Sequence, residues 1–126
     1  MKEDDELIKF FEWISWMSIS IPELKAVFHV ANERKSTIQA GVRLKKKGVR
    51  SGIPDVFCLV PSKDYHGLLM EFKSEKGKLS KNQEEYLKLF HALGYCVRVP
   101  RSANEAISIL KNYLSRSSIK QFSTLL

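Results

Sequence analysis

Two short segments with charged side chains constrain this chain most. Asp55 directly precedes the apolar run Val56–Val60, while Glu71 and Lys73 lie at the end of a second apolar run that begins at Leu68. If the two runs pair as antiparallel strands, Asp55 sits at the mouth of the first strand. Side chains alternate between the two faces of a strand, so Glu71 and Lys73 share one face. The sequence therefore predicts a sheet that brings two carboxylates and one ammonium together.

The surroundings of these residues distinguish them from the polar outer face of an ordinary strand. Pro54 and Asp55 have low strand propensity, so propensity does not explain their occurrence at the start of a strand. A specific role at that position does. The segment around Glu71 is apolar on both faces, and we expect this carboxylate to be at least half buried. A buried carboxylate without partners is costly. A metal ion and Lys73 would offset that cost.

The combination of two carboxylates and a lysine indicates a particular chemistry. Mg²⁺ needs oxygen ligands and usually takes one or two carboxylates plus substrate phosphate. A neighbouring lysine can orient a water molecule or neutralise charge that develops on a phosphodiester. An aspartate followed sixteen positions later by Glu-x-Lys is therefore typical of metal-dependent nucleases.

The distribution of charge points to a polyanionic partner. The net charge is +7, and no acidic residue occurs between Arg34 and Pro54, where seven basic residues lie. Such blocks attract nucleic acid, although a solvated basic face is the alternative. A second basic set follows Tyr86 and includes Arg98, Arg101 and Lys111. We predict that DNA is held by the central members of the first block: Arg43, Lys45, Lys46, Lys47 and Arg50.

Length and composition limit the class of protein. The 126 residues suffice for one domain, and 44% hydrophobic with 28% charged residues favours a folded chain. No apolar run approaches a membrane span, and the acidic first residues do not resemble a signal peptide. Cys58 and Cys96 lie in apolar runs without metal-ligand spacing, which favours buried thiols. We expect a cytoplasmic protein with no membrane partner and no zinc site.

Hydrophobic periodicity and end signals predict the order α-β-α-β-β-α-β-α, a central mixed sheet flanked by helices. Capping boxes at Ser80–Gln83 and Ser102–Glu105 start the last two helices. The chain is predicted to form a single domain over residues 1–126, with its core at about 5–114 and a C-terminal tail at 115–126. The predicted helices span residues 5–17, 37–47, 80–93 and 102–114 (the second capped by Ser36 or Thr37), and the strands span 27–31, 55–60, 67–74 and 95–99.

Four motifs occur in order along the chain: Gly52–Asp55, Glu71–Lys73, Gly77–Gln83 and Gly94–Tyr95. Together they resemble the VRR-NUC domain, the virus-type replication–repair nuclease branch of the PD-(D/E)xK superfamily, over about residues 5 to 114. The resemblance implies a restriction-endonuclease-like α/β core, dependence on Mg²⁺ or Mn²⁺, and phosphodiester hydrolysis on DNA. It also implies a bacterial or phage-infected host cell.

The resemblance assigns roles by position. Asp55, Glu71 and Lys73 match the catalytic residues of the family, and an acid on the first helix commonly completes the metal site. Glu6 and Glu12 are both candidates here, and Glu6 fits the family spacing better. The predicted metal ligands are therefore Glu6, Asp55 and Glu71.

Gln83 matches a family glutamine near the site and is a further catalytic candidate. Its alternative role is local, because the glutamine of a capping box accepts from the N-cap backbone. One departure concerns the turn after the first strand, where many relatives have Asn-Gly-Gly and this chain has Asn32–Arg34. That difference bears on substrate preference rather than on the metal ligands.

Stand-alone virus-type members resemble junction-resolving enzymes, so we expect cleavage of four-way (Holliday) junctions. Two coordinated cuts need two active sites, which a twofold homodimer supplies. Apolar residues of the first helix form either a candidate interface or ordinary core: Phe10, Phe11, Trp13 and Trp16. A flap or general endonuclease, and a non-catalytic DNA-binding module, are the alternatives.

Overall fold

The computed structural model of the chain describes residues 3–31 and 37–117. These ranges contain four α-helices and four strands in the order that the sequence predicts, and one 3-10 helix (Pro22–Ala26) that it does not predict. Residues 118–126 of the predicted tail, the Asn32–Arg34 departure and the alternative cap Ser36 lie outside the described residues. The helices are α1 (Glu3–Met17), α2 (Ile38–Lys46), α3 (Lys81–Ala92) and α4 (Ala103–Leu114), and the strands are β1 (Val27–His29), β2 (Val56–Cys58), β3 (Leu68–Met70) and β4 (Cys96–Arg98).

The strands form one mixed sheet in the order β1-β2-β3-β4. Strands β1 and β2 are antiparallel, β2 pairs antiparallel with β3 so that Val56 lies opposite Met70, and β3 runs parallel to β4. The antiparallel pairing predicted for the two central strands is confirmed. A mixed sheet flanked by helices is the predicted α/β fold class.

The regular strands are shorter than predicted, but backbone hydrogen bonds continue beyond them. The Glu71 N–H donates to the Arg98 carbonyl at 3.0 Å, and the Lys73 N–H donates to the Pro100 carbonyl at 3.1 Å. Pro100 has no N–H to return a bond, so the regular ladder ends there. Because the backbone N–H groups of both residues point to the same neighbouring strand, Glu71 and Lys73 share one face of the extended segment, as predicted.

Helices cover both faces of this sheet. One face carries a buried cluster in which Phe10 of α1 packs on Phe72 at 5.6 Å between ring centroids, with Leu110 of α4 beside them. Leu69 and Leu87 are buried outside that cluster, and α3 contacts β4. Alternation along the strand therefore places Glu71 on the face that α3 covers.

Local signals start and end the helices. Thr37 caps α2 by accepting from the Ala40 N–H, and both hydrogen bonds of the Ser80–Gln83 capping box are present at α3. Gly94 follows α3 with φ +99°, a conformation that glycine adopts at low cost. Ser102 caps α4 by accepting from the Glu105 N–H.

The first-helix aromatics divide between core and surface. Phe10 is fully buried, which supports the core interpretation for that residue, and Phe11 and Trp13 pack partly against the core. Trp16 remains 78% exposed, with Ile8 also exposed. Over the described residues, no helix has the length and apolar character needed to cross a membrane.

Candidate active site

Asp55 is fixed between β1 and the extension of β3. Its backbone carbonyl accepts from the Val30 N–H and from His29 Nδ1–H, each at 2.8 Å. Its side-chain Oδ2 accepts from the Phe72 N–H, also at 2.8 Å. The chain thus holds the Asp55 carboxylate directly beside Glu71, the residue that precedes Phe72.

Glu71 is the one charged residue that is buried among the described residues, with 3% of its surface exposed. Burial, together with the neighbouring Asp55 carboxylate, raises the pKa of the Glu71 carboxyl to about 9, while Lys73 opposes the shift. The carboxyl therefore keeps its proton at neutral pH unless a cation replaces it. The predicted burial of Glu71 is confirmed.

Gln83 uses both ends of its side-chain amide. Its Oε1 accepts from the Ser80 N–H at 2.8 Å, which completes the capping box. Its Nε2 donates to Glu71 Oε2 at 3.2 Å. Because the oxygen is committed to Ser80, the amide nitrogen must face the carboxylate. The capping role and the placement at the site are therefore compatible, and the catalytic role of Gln83 stays a prediction.

Lys73 is half-buried on the same face as Glu71. Its positive charge lowers the pKa of Glu71, which places the ammonium within electrostatic range of the buried carboxyl. No ion pair joins Lys73 to another described residue within 4 Å. The ammonium is thus available to a substrate or a water molecule.

The first-helix acids occupy different environments. Glu6 Oε1 accepts from the Ala103 N–H at the start of α4 at 2.9 Å, and this hydrogen bond lowers the pKa of Glu6. Glu12 is exposed. The negative charge of Glu3, one helical turn before Glu6, is among the causes that raise the pKa of Glu71. Glu3 is therefore a third candidate that the sequence reasoning missed, although it shares the helical face of Glu6; the assignment of Glu6 stays a prediction.

The described residues supply a pair of carboxylates rather than a complete ligand set. Across residues 3–31 and 37–117, no three His, Cys, Asp or Glu side chains converge as a metal-ligand group. Asp55 and Glu71 do converge, and both present hard oxygen donors. Mg²⁺ is commonly bound by one or two carboxylates together with substrate phosphate and water. The pair therefore fits a divalent cation whose remaining ligands are substrate phosphate and water.

The predicted DNA-binding residues and the second basic set differ in the contacts that their side chains make within the protein. Arg98 donates to the Val97 carbonyl, Arg101 donates to the Ser74 and Gly77 carbonyls, and Lys111 lies 5.7 Å from the Trp13 ring centroid. The central block, by contrast, is exposed and forms no ion pair with a described residue. The block consists of Arg43, Lys45, Lys46, Lys47 and Arg50.

Three further lysines lie close to the site and were missed by the sequence reasoning. Lys76, Lys78 and Lys81 are exposed on the segment that follows Lys73. Arg101 fastens this segment through the two carbonyls named above. The sequence signal for them was a cluster of four lysines in nine positions. This cluster is less obvious than the earlier basic block because Glu75 interrupts it.

Comparison with known proteins agrees with the motifs. The sequence model of the VRR-NUC domain matches residues 14–104, a range that contains Asp55, Glu71, Lys73 and Gln83 but none of the first-helix acids. A solved structure described as a VRR_NUC domain protein is similar over 91% of this chain and 89% of that chain, with 22% identity and a TM-score of 0.75. This likeness shows a shared fold. No curated protein matches the chain.

Proposed function

The chain belongs to the VRR-NUC family, a nuclease-type family, and we propose that it is a divalent-metal-dependent, structure-selective DNA endonuclease that cleaves four-way junctions. The observation that carries the proposal is the convergence of Asp55, Glu71, Lys73 and Gln83 on one sheet face. A binding module that had lost catalysis would have no need for a buried carboxyl of raised pKa beside a second carboxyl.

Each residue has a distinct task in this proposal. Asp55 and Glu71 would hold Mg²⁺ or Mn²⁺, which when bound lowers the pKa of water and offsets charge on the scissile phosphate. Gln83 keeps the Glu71 carboxylate oriented toward Asp55 by donating to Oε2. Lys73 positions the attacking water or neutralises charge on the phosphodiester as it develops.

The substrate would be held largely through its phosphates. The exposed cations of α2 and the turn after it provide positive charge without carboxylate partners among the described residues. Phosphate contacts position DNA but carry no sequence information directly. The proposed enzyme therefore selects DNA by shape rather than by base sequence.

Coordinated cleavage of a junction requires two active sites, so we propose a twofold homodimer. The exposed apolar side chains Trp16 and Ile8 on α1 are candidate contacts between two copies. Sedimentation should give a mass near twice 14.5 kDa. A protein that sediments as a monomer, yet cuts both strands of a junction in one binding event, would contradict the dimer.

The test of the activity is to incubate purified protein with labelled DNA of three matched kinds: a four-way junction, a flap and a plain duplex. Mg²⁺, Mn²⁺ and EDTA are compared for each substrate. We expect cleavage of the junction with either cation and none with EDTA. Faster cleavage of the flap or of the duplex would assign the flap or general endonuclease alternative instead.

A further inference from the structure

An open cleft of about 560 Å³ lies beside the candidate active site. One wall is the end of α2 and the turn that follows it, with Lys45 and Arg50. The other wall is the first turns of α3, with Asn82, Tyr86 and Leu89. Tyr86 therefore places an aromatic ring in the same cavity as Lys45 and Arg50 of the proposed DNA-binding block.

The two walls of the cleft are held together by close packing. Gly52 has φ +91°, and a Cβ at this position would lie 2.8 Å from Asn82 Cβ. Asn82 Nδ2 also donates to Ser51 Oγ at 3.3 Å. Only glycine allows this approach, so Gly52 sets how closely the two walls of the cleft meet at Asn82.

The chemistry of the cleft changes from one side to the other. Lys45 and Arg50 supply positive charge, which suits a phosphate. Tyr86 supplies an aromatic ring, and Leu89 is 49% exposed, so this part of the cleft suits a flat apolar surface. Phe90 stacks on Tyr86 at 5.6 Å with 25° between the ring planes, which fixes the orientation of the Tyr86 ring.

Polar groups accompany the aromatic ring. Glu85 also lines the cleft; its carboxylate repels a phosphate but accepts hydrogen bonds from an amino group of a base. Asn82 can donate and accept at a base edge. A nucleotide, with its phosphate toward Lys45 and Arg50 and its base toward Tyr86, matches this separation of charge.

Only a nucleotide whose base is unpaired can bind in the cleft with its base stacked on Tyr86. In a duplex, both faces of each base are covered by stacked neighbours, whereas an unpaired base can stack on an aromatic side chain. We propose that the cleft binds an unpaired nucleotide of the DNA substrate, with the base on Tyr86 and the flanking phosphates at Lys45 and Arg50. The inference rests on the proposed function, because it names the DNA feature that the same enzyme recognises.

The position of the cleft relates the unpaired nucleotide to the bond that is cut. Asn82 is adjacent to Gln83, which contacts Glu71. At 1.5 Å per helical residue, Leu89 lies about 10 Å along α3 from Asn82, a length of about three stacked bases at 3.4 Å each. The substrate class is therefore DNA with unpaired nucleotides within about three positions of the cleaved phosphodiester, such as an open branch point.

The test measures binding to a duplex with a short single-stranded extension, in EDTA so that no strand is cut. An abasic nucleotide, which keeps the phosphate and removes the base, is moved through each unpaired position. With wild-type protein, we expect one position at which base removal weakens binding at least about fivefold, the scale of one base stacked on an aromatic ring. The absence of such a loss at every unpaired position would overturn the proposal.

Variants then locate the effect. Tyr86→Leu keeps apolar volume but removes the ring, and Leu89→Glu places a charge at an exposed position of the same cleft. Both should bind the intact and abasic DNAs equally, whereas Tyr86→Phe should keep the wild-type difference. If Tyr86→Leu retains the full difference, the base lies elsewhere and the proposal fails.

A separate cleavage assay with Mg²⁺ distinguishes the two proposals. Cleavage of DNA without any dependence of binding on the unpaired base would overturn the cleft assignment and leave the nuclease proposal intact. Base-dependent binding that is lost in Tyr86→Leu, in a protein that cleaves no DNA, would support the cleft and overturn the nuclease proposal.

Discussion

Replacement of the buried Glu71 carboxyl by an amide should change how stability depends on pH. The folded protein keeps the Glu71 proton to about pH 9, because the raised pKa is about 9, whereas an unfolded chain releases it near the ordinary value of 4.5. Between these values the folded state binds up to one more proton than the unfolded state. Stability from this group is therefore full below about pH 4.5 and is lost as the pH rises toward 9.

One proton contributes at most about 1.4 kcal/mol per pH unit to this slope. Glu71→Gln keeps a donor and an acceptor in place for Asp55 and Gln83 but cannot titrate. The free energy of unfolding of the wild type, relative to that of Glu71→Gln, should therefore fall with pH by up to about 1.4 kcal/mol per unit. Glu12→Gln, at an exposed acid of α1, is the matched control and should follow the wild type.

The measurement is urea unfolding in EDTA at several pH values between about 5 and 9. Mg²⁺ should then stabilise the wild type increasingly as the pH rises, because the cation must displace the proton from the carboxyl pair. Glu71→Gln should gain much less from Mg²⁺. Parallel stability curves for the wild type and Glu71→Gln would show that the carboxyl is ionised at neutral pH, and the reasoning about the pair would be refuted.

Three further experiments test other parts of the account. Lys73→Ala should lower the single-turnover cleavage rate by ~10²-fold with metal affinity little changed, as for loss of one positioned charged group; normal turnover with weak metal binding would make the lysine's role structural. Glu6→Gln should weaken Mg²⁺ binding in a calorimetric titration if Glu6 is the predicted third ligand; weaker binding in Glu3→Gln alone would overturn that prediction and assign Glu3. Neutralising Lys45–Lys47 should reduce the slope of log K against log[salt] by ~0.9 per lost phosphate contact, and an unchanged slope would place DNA on another face.

Local chemistry made part of this molecule predictable from its sequence. The Ser80–Gln83 capping box depends on residues three apart, and it forms as expected. The second predicted capping box forms only in part. Its glutamate, Glu105, accepts through Oε1 from the Arg101 N–H rather than from the Ser102 N–H. The donor to Glu105 is thus the N–H of the residue before the N-cap. The spacing of the capping-box motif does not predict this partner.

The placement of the first-helix acids was not predictable in the same way. Helical periodicity indicates that one face of α1 is apolar, but the position of each acid relative to the sheet depends on how α1 packs against α4. That packing puts Glu6 at the Ala103 N–H and leaves Glu3 within range of Glu71. The strand pairing, by contrast, followed from the apolar pattern of β2 and β3.

The central claim is that Asp55 and Glu71 form the metal-dependent centre of a DNA nuclease. The most direct test is single-turnover cleavage of a labelled four-way junction with Mg²⁺ by the wild type and by Asp55→Asn, with DNA affinity measured separately in EDTA. The account predicts product from the wild type only, with equal or tighter DNA binding by the variant. Cleavage by Asp55→Asn at the wild-type rate, or wild-type cleavage in EDTA, would contradict it.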